Sequence, residues 1–123
     1  QVRTVRRGLD GLGFAHKQAG LWLRENTPPG SAVMSRDLAI SLYAERGFVV
    51  SPRASYEAYL EYARDHGADY LVVDERELHI LRPHLAFLLD DQNPPTELES
   101  VFGARDNNGR TIVYRIKEPT DDR

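Results

Sequence analysis

The hydrophobic positions of this chain form two kinds of pattern, helical stripes and short runs that are apolar at every position. The run 70–73, Tyr-Leu-Val-Val, lies between a glycine-ended helical segment and the charged residues 74–76. A run that is apolar on both faces is typical of a strand covered on both sides, as the central strand of a parallel sheet is. We therefore expect residues 70–73 to form the centre of the sheet.

Helical stripes alternate with short apolar runs before that strand. Helices are predicted at 14–26, at 38–46 and between Ser55 and Gly67, with strands at 32–34 and 48–50. The strand 48–50 is short, which favours a place near the edge of the sheet. Successive units of this kind favour parallel strands joined by right-handed helical crossovers.

Polar and glycine residues mark where the predicted helices begin and end. Asp37 and Ser55 each stand one residue before a helical stripe, where a side-chain oxygen can accept free amide hydrogens. Gly47 and Gly67 each follow a stripe, and we expect both to end their helices in the left-handed conformation.

The last third of the chain changes to strand-like alternation. A short helix is predicted at 75–81, and two strands at 97–102 and 111–116 form a hairpin around the turn 106–109. The prediction is therefore a three-layer α/β domain over 14–117, with three parallel strands, a C-terminal antiparallel hairpin and the strand order 2-1-3-4-5. Residues 1–13 are expected to be a lead-in from a preceding region, and 118–123 a flexible tail.

Composition narrows the classes of function. The net charge of −3 gives no positive field for nucleic acid, so no nucleic-acid partner is expected. Cysteine is absent and the histidines show no ligand spacing, so we expect neither a metal nor any other cofactor. No apolar run approaches a bilayer span. The chain opens on Gln1 and its only methionine is Met34, which suggests a piece of a longer protein.

Charged residues follow the predicted parallel strands, where ligands of open α/β sheets bind. The candidate binding residues at these strand ends are Ser35, Arg36, Asp37, Arg53, Asp74 and Arg76. Guanidinium groups gathered there could bind a phosphate or a carboxylate in bidentate fashion. The alternative is that Asp37 caps a helix and that the others are solvated turn charges or ion pairs. The glycines Gly8, Gly11 and Gly13 could suggest a phosphate-binding loop, but their order differs from the dinucleotide fingerprint and no strand precedes them. No G-x-S-x-G pattern places a nucleophilic serine, and no catalytic residue is assigned.

Several phrases of the sequence together resemble one protein family. The chain is similar to the soluble C-terminal domain of bacterial polytopic membrane glycosyltransferases of the family 39 type, which includes protein mannosyltransferases and the lipid A aminoarabinose transferase. The resemblance covers roughly residues 14–117. The phrases that carry it are 20–30, Met34-Ser35-Arg36-Asp37, Tyr43-Ala44, Tyr62-Ala63-Arg64 and 70–76.

The resemblance implies a parent enzyme that takes a sugar from a polyprenyl-phosphate carrier outside the cytoplasmic membrane. This segment would be a non-catalytic accessory domain at the extracytoplasmic face, next to the preceding transmembrane region of the same polypeptide. Its partners would be a lipid head group or a glycan or protein acceptor. The alternative is a stand-alone α/β module that binds a small ligand.

The basic residues Arg3, Arg6 and Arg7 bear on the orientation of this domain. Basic flanks favour the cytoplasmic side of a membrane. Either this cluster meets lipid phosphates outside the cell membrane, or the domain has the opposite orientation.

Overall fold

Five strands form one mixed sheet in the computed structural model of the chain, which describes residues 14–119. The predicted lead-in 1–13 and the end of the predicted tail, 120–123, lie outside the described residues. In chain order the elements are α1 (Phe14–Asn26), β1 (Ala32–Ser35), α2 (Leu38–Ala44), β2 (Gly47–Val50), α3 (Tyr56–Asp65), β3 (Tyr70–Asp74), α4 (Glu75–Ile80), a 3-10 helix (Pro83–Leu89), β4 (Leu98–Asp106) and β5 (Gly109–Ile116).

The sheet has the strand order β2-β1-β3-β5-β4. β1 pairs in parallel with both β2 and β3, and β5 pairs antiparallel with both β3 and β4. Three parallel strands and a C-terminal hairpin are thus confirmed, and β3 is central as predicted. The predicted order 2-1-3-4-5 is wrong, because β5 and not β4 lies next to β3. β5 is buried on both faces through Ile112, Val113 and Tyr114, whereas β4 is largely half-exposed, so the more apolar strand takes the inner place.

Helices cover both faces of the sheet, which gives three layers. On one face, Val33, Val72 and Val113 pack with residues of α1 and α2. On the other face, Met34 and Leu71 pack in a larger cluster with residues of α3, α4 and the 3-10 helix. Neighbouring residues of one strand serve opposite cores because side chains alternate across a strand. The handedness of the crossovers stays a prediction.

Most of the predicted helix boundaries follow from local chemistry. The Asp37 carboxylate accepts the amide hydrogen of Ala39 at 2.9 Å and caps α2. Ser55 caps α3, and Gly67 has a φ of +74° just beyond it, so both predictions at that helix are confirmed.

The prediction for Gly47 is wrong. Glu45 takes the left-handed conformation, with a φ of 55°, and Gly47 is the first residue of β2. The side chain of Arg46 donates to the carbonyl oxygens of Arg24 and Thr27. These bonds tie the end of α2 to the end of α1, so tertiary contacts fix this helix end together with the local sequence.

The hairpin is longer than predicted, since β4 reaches Asp106 and contains a bulge between Ser100 and Phe102. The predicted turn is confirmed. The Asp106 carboxylate accepts the amide hydrogen of Asn108 at 2.8 Å, and Gly109 has a φ of +111°.

None of the helices within residues 14–119 combines the length and the apolar character that crossing a membrane requires.

Candidate strand-end binding site

A cleft of about 450 Å³ opens beyond the carboxyl ends of β1 and β3. Its walls come from the residues after these two strands, from the first turn of α1, from α4 and from the β4–β5 turn. This is the edge of the sheet at which open α/β proteins bind ligands. We call it the strand-end cleft.

The structure brings together four of the six residues predicted for this site. Arg36, Asp37, Asp74 and Arg76 all line the strand-end cleft. Ser35 is buried beneath them, and its hydroxyl group donates to the carbonyl oxygen of Asp37 at 2.8 Å.

Arg53 is not among the lining residues of the strand-end cleft. It is exposed in the loop after β2, which is the edge strand of the sheet. β1 lies between β2 and β3, so the arginine that follows β2 is displaced to one side of the cleft.

His16 connects α1 to two strand ends. Its Nε2 lies 3.0 Å from Asp74 Oδ2, and its Nδ1 lies 3.6 Å from Asp37 Oδ2. Next to it, the amide of Ala15 donates to the Asp106 carboxylate at 2.9 Å. Three carboxylates at the carboxyl ends of β1, β3 and β4 therefore hold the first turn of α1 over the cleft.

The histidine and its main partner shift each other's pKa in opposite directions. The hydrogen bond to Asp74 is the largest cause that raises the pKa of His16, and it outweighs the lowering effect of burial. Burial alone would raise the pKa of Asp74, but the hydrogen bonds from His16 and from the Glu77 amide hold it below its usual value. Both pKa shifts favour the charged forms of the pair, the imidazolium and the carboxylate.

A buried carboxyl group forms part of the cleft wall. Glu77 lies on α4 and is 2% exposed, and its Oε2 is 3.2 Å from Nη1 of Arg82, which is also buried. Burial, followed by the charge of Asp74, raises the pKa of Glu77 to about 7 in spite of Arg82. Desolvation therefore outweighs the ion pair at this group.

Arg82 has a structural role behind the cleft. Its guanidinium donates to the carbonyl oxygens of Ser51 at 2.9 Å and of Pro52 at 3.3 Å. It therefore holds the loop after β2 against the end of α4.

The carboxylates around the cleft are already engaged within the protein. Asp37 and Asp74 cap helices, and Asp106 accepts two backbone amides. The Glu75 carboxylate accepts the amide hydrogen of Arg110 at 3.1 Å. The Arg110 side chain in turn lies 2.8 Å from Asp91 Oδ2.

Two cations of the cleft differ from these groups. The side chains of Arg36 and Arg76 form no hydrogen bond and no ion pair with other residues of the described range 14–119, and both residues are exposed. The strand-end cleft therefore offers two guanidinium groups to an incoming anion, whereas its acids are bound internally. Such groups bind phosphate or carboxylate through charge-assisted hydrogen bonds.

A metal centre is a different possibility for a site rich in acids. Among residues 14–119, no group of three or more His, Asp and Glu side chains is arranged to hold a metal ion. The carboxylates instead face amide hydrogens and His16.

His16, Glu77 and Asp106 are among the residues that line the cleft and were not predicted from the sequence. For Glu77 a local signal exists, because Asp74 and Glu77 have the spacing of a capping box and the Glu77 amide donates to Asp74 at 2.7 Å. For His16 and Asp106 no local signal exists, since they reach the cleft only once α1 and the hairpin have packed on the sheet.

Comparison with known proteins adds no relative. No protein-family model and no curated protein sequence matches the chain.

Proposed function

We propose that this chain is a non-catalytic extracytoplasmic accessory domain of a membrane glycosyltransferase that uses a polyprenyl-phosphate sugar. In this proposal the strand-end cleft assists the binding of the acceptor or of the carrier lipid. The preceding transmembrane region of the same polypeptide would contain the catalytic site. The sequence resemblance supports the enzyme class, and the strand-end cleft supports a role of this domain in binding the acceptor or the carrier lipid.

One observation carries the proposed role of the cleft. Arg36 and Arg76 line one cleft at the carboxyl ends of adjacent parallel strands, and neither forms a hydrogen bond or a contact-distance ion pair with another residue in the described part of the chain. The charge of Arg36 acts on Asp74 and Glu77, but no acceptor of the protein occupies its guanidinium group, which therefore retains its capacity to bind an anion. Both the carrier phosphate and an anionic acceptor have the required charge.

A stand-alone α/β module that binds a small anionic ligand is the second candidate. The cleft volume of about 450 Å³ favours it, since pockets of this size hold small ligands. Several long hydrophobic spans upstream of Gln1 in the gene would support the accessory domain, and a start codon immediately before this segment would support the module.

The experiment that tests the first proposal is the substitution of Arg36→Ala together with Arg76→Ala in the parent protein. We expect sugar transfer to fall about tenfold or more, because each charge-assisted hydrogen bond to an anion contributes about 1.5–3 kcal/mol. Transfer is measured with a polyprenyl-phosphate sugar donor in membranes, after membrane insertion has been verified.

Arg53→Ala is the matched control, because Arg53 is an exposed arginine of a strand-end loop that does not line the cleft. Transfer equal to wild type in the double variant, with normal insertion, would remove the cleft from the function. Transfer by residues 1–123 alone would contradict a non-catalytic role.

A further inference from the structure

Exposed apolar side chains lie beside the two available arginines. Ile80 is 64% exposed and Leu81 is 39% exposed, and both line the strand-end cleft. Removing large aliphatic side chains from water is favourable, so a partner that covers these two residues would gain free energy. Within the described residues nothing covers them.

The arginines and the apolar residues are close neighbours by helix geometry. Arg76 and Ile80 are four residues apart on α4, so they lie on one side of the helix about one turn from each other. The wall of the cleft therefore presents a cation followed by an apolar surface.

Two more apolar residues extend this surface along the same edge of the sheet. Leu38 begins α2 after β1, and Val50 ends β2; they are 50% and 51% exposed. Because β1, β2 and β3 are parallel, their carboxyl ends meet at this edge.

We propose that the strand-end edge docks on an anionic lipid surface, with Arg36 and Arg76 at the headgroup phosphates and Ile80 and Leu81 at the acyl boundary. This inference names the ligand class of the strand-end cleft and rests on the proposed function for its cellular setting. A soluble phosphate ester would use the arginines but leave the aliphatic side chains exposed. An amphiphilic phosphate uses both, as interfacial protein surfaces do.

The test is binding of the 123-residue chain to vesicles of phosphatidylcholine with or without phosphatidylglycerol, measured by co-sedimentation. We expect binding to the mixed vesicles only, and weaker binding as salt is raised. Arg36→Ala with Arg76→Ala should weaken it about tenfold or more. Ile80→Ser with Leu81→Ser should weaken it about tenfold, since two partly exposed aliphatic groups lose their burial.

Matched controls come from residues that do not line the strand-end cleft. Leu42→Ser removes an apolar residue of similar exposure to Ile80. Arg24→Ala with Lys117→Ala removes two charges from the ends of α1 and β5, which lie away from the cleft. Both controls should bind as wild type does, and circular dichroism should show that all variants are folded.

Several results would overturn the inference. They are no binding to phosphatidylglycerol vesicles, equal loss in the controls, or undiminished binding by the Ile80→Ser, Leu81→Ser variant. Glycerol phosphate serves as the soluble probe, and saturable binding of it without vesicle binding would assign the cleft to free phosphate esters. A failure here with transfer still dependent on Arg36 and Arg76 would leave the proposed function standing. Vesicle binding together with sugar transfer that does not depend on Arg36 and Arg76 would leave the lipid-docking inference standing and contradict the proposed role of the cleft in transfer.

Discussion

His16 is the residue at which one proton affects three elements. Both of its ring nitrogens face carboxylates, from Asp74 at 3.0 Å and from Asp37 at 3.6 Å. The imidazolium donates a hydrogen bond to Asp74 and its charge also attracts Asp37, whereas a neutral imidazole lacks that charge. The contact of α1 with the strand ends is therefore strongest when His16 is protonated.

The stability of the protein should follow the charges of this pair. The raised pKa of His16 means that its contribution is fully present below pH 6.5, the ordinary histidine value, and is lost as pH rises through the folded pKa. The lowered pKa of Asp74 means that its contribution is present above pH 3.8 and is lost as pH falls through its folded pKa. We expect His16→Gln to cost on the order of 1 kcal/mol between these limits and less in alkaline solution.

Denaturant unfolding of both proteins at several pH values checks this. His84→Gln is the control, because the His84 ring lies 2.7 Å from the backbone carbonyl of Ala54 and forms no ion pair with a carboxylate among residues 14–119. A cost of His16→Gln that stays constant from mildly acidic to alkaline pH would show that the ring acts by packing alone.

Some single residues could be predicted from the sequence because their role is local. Asp37 and Ser55 cap helices through amides two or three residues away, and Gly67 ends α3 with a positive φ. The prediction that Gly47 ends α2 used the same kind of local signal, and it is wrong. The chain turns at Glu45, whose side chain lies 3.3 Å from Arg24, and that contact comes from 21 residues away.

The element that positions the site is α1, and its packing depends on a glycine. A Cβ on Gly20 would lie 2.5 Å from the Tyr43 Cβ and 2.9 Å from the Ile40 carbonyl oxygen, both on α2. Neither atom is the end of a flexible side chain. The two helices can therefore approach this closely only with glycine at position 20.

Gly20→Ala should separate α1 from α2 and cost about 1–3 kcal/mol, despite the better helix propensity of alanine. The free energy of unfolding in denaturant measures this cost. Gly30→Ala is the matched control, since a Cβ there would have no atom of the described residues within 4 Å. Equal stability of the two variants would show that the helices do not meet as closely as described.

At the scale of elements, the hydrophobic pattern predicted whether a segment forms a helix or a strand more reliably than it predicted the neighbours of that segment. The hydrophobic pattern alone predicted the strand β3 and the helix α3, and the structure confirms both. The strand order was not, because both hairpin strands alternate and only the burial of β5 on both faces decides which lies inside. The same limit applies to the site. The strand ends were predictable, but α1 reaches them only through packing.

At the scale of the whole molecule, the two cores share their strands. Val33 packs with α1 and α2, whereas the next residue, Met34, packs on the opposite face. The same holds for Val72 and Val73 of β3. Neither core can lose its strands without exposing the other, so the domain should unfold in one transition.

Two variants, one in each core, test this coupling. Leu23→Ala on α1 and Leu85→Ala in the 3-10 helix each remove a fully buried side chain and should each cost about 2–5 kcal/mol. Trp22, the only tryptophan, stacks on Phe102 at 5.5 Å on the α1 face, so its fluorescence reports that core. We expect Leu85→Ala to shift the tryptophan transition and the circular dichroism transition together. An unchanged tryptophan transition with an earlier loss of circular dichroism would mean that the layers unfold separately.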